Sequence, residues 1–245
     1  SGLVLNTKRN WLLSVALGLA LMCTAARAAE PTIPATATTA EGFVPAGWVL
    51  DREATGDLDG DGLADLVLVV RDLDPANVRA KAPDTLGPDT FDMQRRVLIV
   101  ALAGRAGGYR RVAVNSTLIP IRDEAVLADL LDDNAIVISG RRLTISLDRF
   151  EEAGSWNRSD YGFTFRWKRG GLELVHYDRL DSARGSGVLT GLQVDWLKRN
   201  AVASEGNVAV DDGEMTYRRI GRPLGPPPSL DAIGDGLAFN PDPRG

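Results

Sequence analysis

From Phe43 to Arg219 the chain is a succession of short apolar runs, rich in β-branched and aromatic residues and bounded by Gly, Asp, Asn or Pro, which predicts strands in preference to helices. The runs are 48–52, 66–71, 96–102, 109–114, 135–139, 143–148, 162–168, 172–180, 187–195 and 214–219. In one of them Phe163, Phe165 and Trp167 alternate with Gly162, Thr164, Arg166 and Lys168, so one face is apolar and the other wet. Tight glycine-bearing turns at 139–142 and 169–171 join neighbouring runs, as an antiparallel meander requires. Only 123–131 has helical spacing, with Val126, Leu127, Leu130 and Leu131 on one side. The expected fold is mainly β, an antiparallel meander forming a sandwich or barrel-like domain, with room for one short helix at a sheet edge.

The pattern also divides the chain. Lys8 and Arg9 precede an apolar run from Trp11 to Met22, and Ala26-Arg27-Ala28 offers a small-x-small cut site, so 1–28 reads as a signal peptide cleaved before Ala29. The run falls short of the roughly 20 apolar residues that span a bilayer, so membrane attachment is expected only through an uncleaved or lipidated N-terminus. Lipidation at Cys23 is the weaker reading, because Met22 stands where a small residue is needed. Residues 29–42 are mostly Pro, Thr and Ala with almost no large apolar side chain, which predicts a disordered linker. The β-domain then covers 43–221, and 222–245 is a Pro- and Gly-rich tail on which Leu230, Ile233 and Phe239 are candidate pins.

Hydrophobic content of 44% and charged content of 25% fit a globular chain with a sizeable core. Loss of the leader removes the single cysteine, and with it any disulfide, thiolate nucleophile or cysteine metal ligand. Lys8, Arg9 and Arg27 leave as well, taking the formal charge from -5 to -8. Such a surface repels phosphate backbones and argues against a nucleic-acid partner.

Acidity bears on chemistry at one place, Asp57-Leu-Asp59-Gly-Asp61-Gly62-Leu63-Ala-Asp65. Carboxylates stand at the first, third, fifth and ninth positions, and Gly62 occupies the sixth, where a sharp bend needs a residue without Cβ. Four carboxylates gathered in one curled loop repel one another unless a hard cation sits among them, with the Leu63 carbonyl as a further oxygen ligand. A flexible cage of six to eight oxygens suits calcium better than magnesium, and the loop has no His or Cys to attract zinc. An acidic, solvated turn is the plain alternative. An EF-hand would carry Glu at the twelfth position, which here is Leu68 inside a predicted strand.

The segment from Gly56 to Val70 resembles the calcium loop of FG-GAP and integrin-type β-propeller repeats, which implies Ca2+ bound by Asp57, Asp59, Asp61, Leu63 and Asp65. Asp-x-Asp-x-Asp-Gly occurs once, so a propeller built of repeated blades is not expected. Pro45-Ala-Gly-Trp48, the single Asp-rich loop, and Gly154-Ser-Trp156 followed by Tyr161-Gly-Phe-Thr-Phe-Arg-Trp167 together resemble an uncharacterised family of small exported bacterial proteins, a likeness that implies no activity.

Catalytic candidates are weak. His176 is the sole histidine and lies within a predicted strand, without a Gly-x-Ser-x-Gly elbow to supply a nucleophile. Glu151-Glu152 and Asp132-Asp133 lie at strand ends, where acids are ordinarily solvated. Trp156, beside Gly154 and Ser155, is the candidate for an exposed contact with a glycan or a protein partner, whereas Trp167 reads as core. Asp84 and Asp89, in the long loop after the calcium-loop strand, are further candidates to reach the ion, with a surface turn as the plainer reading. The expectation is a periplasmic or secreted, calcium-stabilised β-domain that is not an enzyme. The alternative is a surface-recognition module, and a hydrolase has least support.

Overall fold

The apolar run Leu66–Val70 explains the first layer of the molecule: Val67 and Val69 face one core cluster while Leu66, Leu68 and Val70 face another, so this strand is buried on both sides. The computed structural model describes residues 30–154, 157–210 and 214–245. In chain order its strands are β1 (Thr36–Ala37), β2 (Trp48–Gly56), β3 (Asp65–Asp72), β4 (Val78–Ala80), β5 (Thr90–Asp92), β6 (Arg96–Ala103) and β7 (Tyr109–Asn115). They continue with β8 (Ile136–Ser139), β9 (Arg142–Phe150), β10 (Asn157–Lys168), β11 (Gly171–Ala183), β12 (Val188–Asp195), β13 (Asn200–Asn207) and β14 (Met215–Gly221). Among the described residues strand makes up 49% and no helix reaches seven residues, so the fold is all-β. Among the described residues no helix is long and apolar enough to cross a membrane.

Two antiparallel sheets share the main core. The first has the order β1-β7-β6-β3-β2, and the second is an uninterrupted meander from β14 to β8. Inward residues of β3 and β6 (Val67, Val69, Leu98, Val100) pack with Leu143, Ile145, Phe163, Phe165 and Tyr177 of the second sheet. A separate ribbon pairs β4 with β5. All ten predicted runs became strands. The unpredicted β13 reads Asn-Ala-Val-Ala-Ser-Glu-Gly-Asn, too poor in large apolar side chains to announce itself, and is recruited by full pairing with β12.

Residues 29–42, expected to be a disordered linker, are part of the fold from Thr32 onward. Thr36–Ala37 pairs with β7, the Arg111 amide donates to the Ala35 carbonyl (2.9 Å), and its guanidinium donates to the Ile33 carbonyl (2.7 Å). Ile33, Ala40 and Phe43 are buried against the outer face of the first sheet. A segment too poor in apolar surface to fold alone is ordered by a sheet edge that supplies backbone partners and by a sheet face that needs covering.

The helix expected over 123–131 does not form. Its backbone runs beside the end of β9: Ala128 donates to the Phe150 carbonyl (2.8 Å), Asp148 to Leu130 (2.9 Å) and Glu152 to Val126 (2.8 Å). Leu127, Leu130 and Leu131 are buried without helical geometry, so the spacing matched a core-facing segment whose hydrogen bonds a neighbouring strand satisfies. The tail folds back on the second sheet. Leu230 and Ile233 are buried, the Pro228 carbonyl accepts from Leu174, and the Phe239 ring lies 5.5 Å from Tyr177 and 6.2 Å from Phe163.

Candidate metal centre

The Asp-rich loop is the connection between β2 and β3, where Gly56 pairs with Asp65 at its mouth. Gly60 (φ 89°) and Gly62 (φ 86°) both occupy the left-handed region, which lets the chain reverse within a few residues. The loop curls because its aspartates bond their own backbone. Asp57 accepts from the amides of Gly60 (2.6 Å) and Gly62 (3.2 Å), Asp59 from Asp61 (3.0 Å), and Asp61 from Leu63 (2.9 Å). One carboxylate oxygen from each of Asp57, Asp59 and Asp61 lies within 4.8 Å of the others. Asp57 and Asp59 are half-buried and Asp61 is exposed.

Two anchors hold this curl in place. Leu58 is buried in the main core. On the other side, the Arg141 guanidinium, carried by the β8–β9 turn, donates to the Asp59 carbonyl (2.8 Å). Gly60 is required for that contact, since a Cβ there would lie 2.0 Å from the Arg141 Nη2. The loop of the first sheet is thus tied to a turn of the second.

Asp65 plays a different part from the other three. It is buried, and its two oxygens accept from the amides of Leu58 (2.8 Å) and Ala103 (2.9 Å), closing the base of the loop onto the end of β6. Burial pushes its carboxyl above the usual range, against the pull of the Ala103 and Leu58 amides and with a contribution from the Asp59 charge. Asp65→Ala leaves two amides without their acceptor and is expected to cost about 1–3 kcal/mol in urea unfolding, with or without a metal ion.

The remaining candidates are dispersed. Asp84 and Asp89 are not in the carboxylate group, and Asp89 pairs instead with Lys81 (3.4 Å). His176 stands on β11 with its Nε2 3.6 Å from Asp178 and its Nδ1 4.0 Å from Asp195. It therefore has two carboxylate neighbours, but it lines neither the 610 Å³ cleft nor two smaller cavities of the molecule. Burial raises the Asp178 carboxyl, opposed by His176. Glu151 pairs with Arg149 (2.9 Å). Trp156 lies outside the described residues, as does the leader 1–28. Tyr161, Phe163, Phe165 and Tyr177 are core, Trp167 packs against it, and Tyr217 is the exposed large aromatic among the described residues. Sequence reading missed two constellations, the ion network around Arg96 and the cleft beside β4. Their residues are scattered along the chain and carry no spacing signal.

Comparison of the chain with protein-family models, with curated proteins and with solved structures finds no match in any of the three.

Proposed function

We propose that this protein is an exported, non-catalytic β-domain stabilised by one calcium ion in the loop 57–65. The observation that supports this reading is the convergence of Asp57, Asp59 and Asp61, whose oxygens lie within 4.8 Å of one another at the tip of a hairpin. Hydrogen bonds from the loop's own amides leave lone pairs on each carboxylate, and an all-oxygen donor set favours a hard cation. Asp57, Asp59 and Asp61 would hold the ion with the Leu63 carbonyl, while Asp65, expected from the sequence to join them, stands outside their group and braces the base of the loop through its two amide bonds. The ion supplies charge neutralisation at a place where three acids crowd. The chain's own contribution is the curl and its two anchors, Leu58 in the core and Arg141 on the second sheet.

Extracellular calcium would load even a weak site of about 10⁻⁴–10⁻³ M. An ion that binds only the folded chain adds about 2.7 kcal/mol at 100 times its dissociation constant. For a domain of this size that is roughly 5–10 °C in melting temperature. Thermal unfolding in calcium against chelator is expected to show this difference, smaller in magnesium, and to lose it in Asp59→Ala. A melting temperature indifferent to both calcium and chelator would sink the reading.

A further inference from the structure

A cleft of about 610 Å³, a size within the range of about 300–1,000 Å³ typical of small-molecule sites, lies between two short ribbons. One wall is the β4–β5 ribbon. Arg79 pairs across it with Phe91, and Lys81 follows two residues on with its amide bonded to the Asp89 carbonyl (3.0 Å), so these three side chains share the face that lines the cleft. The other wall comes from Asp123, Glu124 and Val126 together with the end of β9 at Glu151. A bridge between Leu127 and Glu151 holds that wall together.

Apolar groups form the middle of the cleft. Phe91 and Ala125 are buried, and Leu86 projects from the loop above with 58% of its surface exposed. That loop is kept close by two glycines: a Cβ on Gly87 would lie 3.0 Å from Ala125, and one on Gly154 would lie 3.2 Å from Leu86. Charge is separated by wall. Lys81 is engaged by Asp89 and Glu151 by Arg149, while the Arg122 guanidinium, over the Phe91 ring at 5.6 Å, donates to the Ala125 carbonyl (2.7 Å). Among the described residues the side chains of Arg79 on one wall and of Asp123 and Glu124 on the other have no ion-pair or hydrogen-bond partner.

We propose that this cleft binds a short free peptide of two or three residues, its terminal carboxylate on Arg79, its ammonium on Glu124 and Asp123, and its side chains against Phe91 and Leu86. A cation facing two carboxylates across an apolar floor is complementary to a zwitterion with an apolar body and to neither a simple anion nor a simple cation. The site is separate from the Asp-rich loop, and its occupancy does not depend on calcium.

The probes are L-alanyl-L-leucine, its N-acetyl form, its C-amide form and the doubly blocked form, titrated into the purified protein and followed by backbone amide shifts. The free dipeptide is expected to bind saturably, with shifts centred on Arg79, Phe91 and Glu124, and each blocked end to weaken binding roughly tenfold. Arg79→Gln should weaken the free dipeptide by a similar factor while leaving the C-amide form unchanged, and Glu124→Gln should do the same with respect to the N-acetyl form. Equal binding of the free and doubly blocked forms would overturn the proposal, and so would the absence of saturable shifts with any of the four.

Discussion

Arg96→Ala is expected to lower stability by about 3–5 kcal/mol in urea unfolding at neutral pH, because it leaves carboxylates in a mostly buried site without their cation. The Arg96 side chain is 2% exposed. Its Nε donates to Asp51 (2.7 Å), and its two terminal nitrogens donate to Asp129 at 2.8 and 2.7 Å in a bidentate fork. Asp51 sits at a bulge in β2, where the register slips between Leu50 and Arg52, and Arg71 of β3 stands 3.7 Å from it. The row of charge thus crosses three adjacent strands. Asp129 belongs to the segment expected to be helical, so Arg96 ties that segment to the first sheet, helped by Arg52, which donates to the carbonyls of Asp132 (2.9 Å) and Leu131 (3.0 Å).

The same network sets an acid limit. Burial opposes ionisation of Asp129, yet the Arg96 bonds and the Leu131 amide hold its carboxyl below the usual carboxylate range. A depressed carboxylate stabilises the fold fully above its ordinary pKa of about 3.9 and loses that contribution as pH falls through the folded-state value. Stability should therefore decline below about pH 4, and the decline should be shallower in Asp129→Asn. Arg96→Met combined with Asp129→Leu should recover part of the loss, since an apolar pair can replace a buried ion pair. Additive losses in that double variant would contradict the account.

Ile33→Ala is expected to cost about 2–5 kcal/mol, the penalty for truncating a core side chain. Ile33 is 4% exposed and belongs to the cluster that covers the outer face of the first sheet. Were residues 29–42 a free linker, the change would stay within about 0.5 kcal/mol. Urea unfolding of the two chains separates these outcomes. Amide exchange at Arg111, whose N–H is held by Ala35, reports on whether the arm has detached.

How far the strands were legible follows from period two. Alternation at Phe163, Phe165 and Trp167 assigns an inner face whatever the neighbours are, and the core confirms it. The Leu66–Val70 run announces a strand, but its burial on both faces depends on an arm that shows no strand pattern of its own. Spacing at Val126, Leu127, Leu130 and Leu131 suits a helix, and the free edge of β9 overrode it by offering hydrogen bonds to the same backbone. At the candidate metal centre the convergence of Asp57, Asp59 and Asp61 follows from local Asx turns and is legible, whereas the engagement of Asp65 with Ala103 is long-range and is not.

What the sequence determined by itself is therefore what depends on near neighbours along the chain: strand identity, hairpin turns, and a curled loop of acids. What only the tertiary structure decided is what depends on surfaces meeting. The arm and tail became ordered because an apolar sheet face and an open edge reward segments that could not order alone. Arg96 found Asp51 and Asp129, and Arg79 came to face Glu124, because strand order brings together residues whose separation in sequence carries no periodic signal.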